Sequence, residues 1–165
     1  ISNYEENTMS RCSSIPICLF PIQFPTTMPE FFSQFQATQT FLVQADINDN
    51  VAVTTPSICV SNIRFVPSVA GTSAEGQILT GKNLIVIGYF NTKIVITRVE
   101  NGVRKNNTVE KVIPFSTNIV VPLEDNGNHQ VFLGFDIQDF SAIIIARNTL
   151  FCSISLVLTY DNCDD

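Results

Sequence analysis

Apolar residues in this chain recur at every second position over short stretches, the spacing of a strand with one face turned to a core. Val131, Leu133, Phe135 and Ile137 share one face of "VFLGFDI". Cys152, Ile154, Leu156, Leu158 and Tyr160 share a face of the segment 152–160, with Ser153, Ser155, Val157 and Thr159 opposite. "FLVQADI" and "SICVSNIRFV" predict two more short strands, separated by the polar "NDN" and by Pro56. "KIVITRVENGVRKNNTVEKVI" predicts a hairpin turning at Asn101-Gly102, two residues that both tolerate positive φ. "FSTNIVV" ends at Pro122, and "EDNGNH" holds a second Asn-Gly turn.

In "EGQILTGKNLIVIGYF", residues 75–90, a polar run punctuated by Gly76, Gly81 and Gly88 opens into Leu84-Ile85-Val86-Ile87. Consecutive β-branched residues suit a strand buried on both sides, or one that changes faces, and suit a helix poorly. Gly88 inside that run predicts a bulge or the close approach of another backbone. "PEFFSQFQATQ" has room for one helical turn, and no persuasive amphipathic helix occurs elsewhere. Short strands between polar turns predict an all-β domain over residues 31–165, an antiparallel sandwich of jelly-roll-like form.

Residues 1–30 follow a different pattern. Pro16, Pro21, Pro25 and Pro29 recur between Ile15, Ile17, Leu19, Phe20, Ile22 and Phe24. Each proline fixes φ and removes a ladder donor, which excludes a helix or a central strand. What remains is an extended arm too hydrophobic for a solvated tail. Residues 12–29, fully extended, reach roughly 50–60 Å, beyond the arm's own domain. The six apolar residues are therefore expected to dock on a neighbouring subunit, along a sheet edge or in a groove. The alternative is an arm folded back over its own sandwich.

Composition sharpens this expectation. Apolar residues make up 45 % of the chain and charged ones only 15 %, so apolar surface is expected to be covered by copies of the chain or by a partner. The net charge of −6, with no basic run, argues against nucleic acid and anionic membrane as partners. No apolar run approaches the length of a transmembrane helix, and the opening "ISNYEENTMS" does not read as a signal peptide.

Five cysteines, Cys12, Cys18, Cys59, Cys152 and Cys163, suggest structural sulfur chemistry. Their spacing matches no zinc pattern, and the lone histidine, His129, cannot complete one. The odd count leaves at least one thiol either free or paired with another chain. Cys152 lies on an inward face and reads as a buried thiol. Cys12 and Cys18 sit on the arm, and Cys163 follows the last predicted strand in an acidic tail. With Cys59 they are the candidates for disulfides between subunits.

Catalytic chemistry finds little support. His129 stands two residues beyond Gly127 and reads as a turn residue. "DINDN" at 46–50 begins like a calcium loop, but Val51 stands where the glycine should be and Ser57 where the bidentate Glu should be. Asp161, Asp164 and Asp165 read as a solvated terminus. The glycines of "GTSAEGQILTG" precede no Lys-Ser/Thr pair and no helix, so they do not form a phosphate loop. Asn106-Asn107-Thr108 is a formal glycosylation sequon of little weight. The expectation is a protein without catalytic, cofactor-binding or metal-binding residues.

Two blocks carry a resemblance. "EGQILTGKNLIVIGYFNTKIVI", with Gly76, Leu79, Gly81, Leu84, Val86, Gly88, Ile94 and Ile96, and "VIPFSTNIVVP", with Pro114-Phe115-Ser116-Thr117, Ile119 and Pro122, resemble the SPOCS domain of endospore-forming bacteria. The likeness covers about residues 57–160. It implies a β module that makes protein contacts in the spore envelope, with no catalytic residues to carry over. One copy without a peptidoglycan-binding module favours a building block over a recruiting scaffold. The resemblance thus implies a self-assembling structural protein of the spore coat, exosporium or an appendage filament. Its partners would be copies of itself and other spore-envelope proteins. A monomeric binding or adhesion module is the competing expectation.

Overall fold

A computed structural model describes residues 17–22, 31–124 and 130–161. Eight strands form two sheets: β1 (Ile17–Pro21), β2 (Phe32–Leu42), β3 (Asn50–Val53), β4 (Ser57–Thr72), β5 (Ile78–Glu100), β6 (Val103–Val120), β7 (Val131–Ala146) and β8 (Thr149–Asp161). One sheet runs β1-β7-β8-β2; in the other, β5 lies between β6 on one side and β3 and β4 on the other. The all-β sandwich read from the alternation is present. Every pairing is antiparallel except β1 with β7, which is parallel.

The core lies between the sheets. Leu84, Val86, Phe90, Ile94 and Ile96 project into it from β5, Ile113, Phe115 and Ile119 from β6, and Ile154, Leu156 and Leu158 from β8. Val131 and Leu133 of β7 are buried as period-two alternation requires, while Phe135 and Ile137 are half-buried against the same cluster. A bulge at Gln138 then reverses the inward parity, so that Phe140, Ala142 and Ile144 face the core.

Several sequence expectations change in detail. "PEFFSQFQATQ" forms no helical turn in the described residues; β2 pairs with β8 over its whole length, and that ladder decides the conformation. Of "FLVQADI" only Phe41 and Leu42 are strand, because the chain turns away to hold Asn148: Val43 N donates to Asn148 O, and Asn148 N to Ala45 O. Leu84–Ile87 is neither doubly buried nor face-changing: Leu84 and Val86 are enclosed, whereas Ile87 is 43 % exposed. The hairpin does turn at Asn101-Gly102, with φ of 52° and 77°, and its strands are far longer than the periodicity indicated. The second Asn-Gly turn, with His129, lies outside the described residues.

Gly88 meets both of its expectations. It faces Val60, next to a bulge at Ser61, whose hydroxyl donates to Ile87 O at 3.1 Å. A Cβ there would lie 2.2 Å from Cys59 O and 2.8 Å from the Phe115 ring. The ring, opposite Gly88 in the β5–β6 ladder, stacks between Phe90 (4.9 Å) and Phe35 (5.4 Å) and joins the two sheets.

Candidate arm-docking site

Residues 17–22 fold back onto their own chain, the alternative to the expected docking on a neighbour: they lie along the outer edge of β7, in parallel register from Ile17 opposite Val131 to Pro21 opposite Phe135. Ile22 N donates to Phe135 O at 2.9 Å and extends the ladder past Pro21. Parallel alignment at a sheet edge suits the prolines: Pro21 ends the strand, and its missing donor costs no central ladder bond. The strand sends alternate side chains to the two sides. Ile17 and Leu19 pack on the core between the sheets. Phe20 and Ile22 lie over the opposite face, above Gly134.

Gly134 makes that seat possible. A Cβ on it would approach Thr159 Oγ1 to 2.5 Å, Ile22 Cγ2 to 2.9 Å and Phe20 Cε2 to 3.3 Å. The missing side chain leaves a trough that the arm fills, and Gly134 itself is buried. The signal was in the sequence, as a lone glycine inside an otherwise regular strand pattern, a mark of close approach. Sequence reading noted the alternation there and not the glycine. Of the six apolar arm residues, Ile17, Leu19, Phe20 and Ile22 meet at this seat; Ile15 and Phe24 lie outside the described residues.

The cysteines separate by environment. Cys18 sits on β1, half-buried and free, opposite Phe132. Cys152 is free and fully buried, and burial pushes its thiol up to about 11, so it packs as an apolar group. Cys59, on β4, is 2 % exposed and disulfide-bonded. Cys12 and Cys163 lie outside the described residues.

A second feature lies at the far end of the β5–β6 hairpin. Gln44, Asp49, Arg98, Glu100, Lys105, Asn106 and Asn107 line a polar cleft of about 300 Å³. Arg98 grips Asp49 with Nε at 3.2 Å and Nη2 at 3.1 Å, and reaches Asp46 and Glu100 at 3.4 and 3.6 Å. Asp49 also accepts from Asp46 N, and the Arg98 bond, followed by that backbone bond, holds its carboxyl below the ordinary value. Lys105 lowers Glu100 in the same way, at 3.2 Å. The "DINDN" loop is thus a turn clamped by arginine, with its carboxylates committed to Arg98 rather than directed toward a cation. These charged groups were visible as separate residues in the sequence, but their meeting depends on the length of β5.

Comparison with protein-family models, curated proteins and solved structures finds no match for this chain.

Proposed function

We propose that this chain is a self-assembling structural protein of the bacterial spore surface, in coat, exosporium or an appendage filament, its subunits joined through the N-terminal arm and by intermolecular disulfides. The observation that carries the reading is the arm seat. A strongly apolar segment binds through one sheet edge and a glycine trough, a recognition mode that works equally between molecules. The spore assignment rests on the resemblance blocks, whose Gly88 and Phe115 fit one another directly. Catalysis, cofactors and metals have no part in it.

Free, half-buried Cys18 lies on the arm itself, the position from which a thiol bridges to another copy. Cys12 and Cys163 complete the expected set. Cys59 is already bonded, so a bridge between subunits there requires exchange of that bond. The test is a non-reducing denaturing gel of assembled protein, beside the same protein lacking residues 1–29. Dimers and higher ladders that collapse to one chain mass with reductant support the reading. A single monomer band without reductant, or unimpaired assembly of the shortened chain, contradicts it.

The competing reading, a monomeric binding or adhesion module, is favoured by the polar cleft at the hairpin end. Its charged groups are largely spent on one another, which weakens it as a ligand site.

A further inference from the structure

We propose that the seat along residues 131–135 of β7 is an exchange site, filled in the isolated subunit by its own residues 17–22 and in the assembly by the same residues of a second copy. This rests on the assembly reading above and names the acceptor within it.

Three observations carry the proposal. First, β1 is weakly attached: it pairs with β7 alone, spans five residues, and none of them is fully buried. Second, everything that recognises it is local to the seat. The ladder from Val131 to Phe135, the Gly134 trough and the inward pocket for Ile17 and Leu19 are the same whichever copy supplies the arm. Third, the connection to β2 has more residues than its span requires. Pro21, Phe135, Leu158 and Ser33 lie in one row across the sheet. Three strand spacings of about 4.8 Å put Ser33 roughly 14 Å from Pro21. The twelve residue steps between them can extend to roughly 40 Å. The span that closure within one chain requires is therefore about a third of the maximum reach, which leaves length for an arm to meet the seat of a second copy.

Exchange replaces each contact by its equal, so the closed subunit and the assembly differ in which copy supplies the arm and not in what the seat binds. The closed arm then acts as a self-inhibitor: no seat is vacant until an arm leaves its own. Polymer growth should be slow from closed subunits and faster under conditions that loosen the arm.

The register supplies the experiment. Cys18 stands opposite Phe132, so Phe132→Cys in the full chain places a second thiol within bridging reach. Equal amounts of isotopically heavy and light chains are mixed, assembled and oxidised, and peptides bridging Cys18 to the introduced thiol are read by mass spectrometry. Exchange predicts that about half of these peptides pair one heavy with one light chain, as random pairing requires. Same-label bridges alone in a polymer overturn the exchange and leave the assembly reading intact. A second pair of full chains covers failure of that variant to fold, or of the protein to polymerise. Gly134→Val blocks the seat and keeps the arm; Leu19→Asp spoils the arm and keeps the seat. Each alone should be monomeric, and the mixture should form one-to-one dimers. Absence of those dimers overturns the proposal.

Discussion

Phe115 lies directly against Gly88, across the β5–β6 ladder, with its ring in the space a side chain on Gly88 would need. Gly88→Ala forces a new methyl toward both the ring and the carbonyl of Cys59, and backbone yields less readily than a side chain. Overpacking of this kind typically costs about 1–3 kcal/mol. The unfolding midpoint in urea should fall accordingly. Phe115→Leu in the same chain removes the ring contact and leaves the carbonyl contact, so it should relieve part of the added strain. In a double-mutant cycle the coupling should exceed about 0.5 kcal/mol. Strict additivity would mean that the two residues do not act on one another.

The Asp49–Arg98 pair should make stability acid-sensitive. The folded-state pKa of Asp49 lies below its ordinary 3.8, with the Arg98 bond as the first cause. The stability this pair contributes is therefore fully present above the unfolded value, and is lost as pH falls through the folded one. Asp49→Asn should have a lower urea midpoint than the unaltered chain near neutral pH. The gap should narrow only below about pH 4, where the free carboxyl protonates. A gap that stays constant down to pH 2 would contradict it.

The two free thiols among the described residues should differ sharply in reactivity. Thiolate is the reacting form, and Cys152, fully buried and raised to about 11, exposes almost none of it near pH 8. Cys18 is half-buried at a sheet edge. In native protein a small alkylating reagent should label Cys18 and spare Cys152 until denaturant is added. Comparable labelling of both in the native state would contradict the packing described for Cys152.

Sequence reading recovered those features whose cause is local. The Asn101-Gly102 turn, the inward faces of β7 and β8, the buried thiol at Cys152 and the close approach at Gly88 each follow from residue type and short-range period. What escaped it depends on partners far along the chain. The β2 strand looked like a helical turn because its strand character comes from pairing with β8. The turn at Arg147-Asn148 lacks glycine; Asn148 takes φ of 61° while its side chain accepts from Ala45 N, a partner that no local pattern reveals. The length of β5 was hidden at Gly81, which punctuates a polar run in the sequence and instead sits inside the strand opposite a bulge on β4. For the candidate site, the arm was legible from its prolines and apolar residues. Its seat was not, since Gly134 acquires meaning only when Ile22 and Thr159 are known to lie over it.

Assembly is the central claim, and electron microscopy of the purified full-length chain tests it most directly. Ordered polymers, as filaments or sheets, should form and resist denaturant until a reductant is added. Dispersed particles of single-chain size at every concentration would contradict the account and leave a monomeric module in its place.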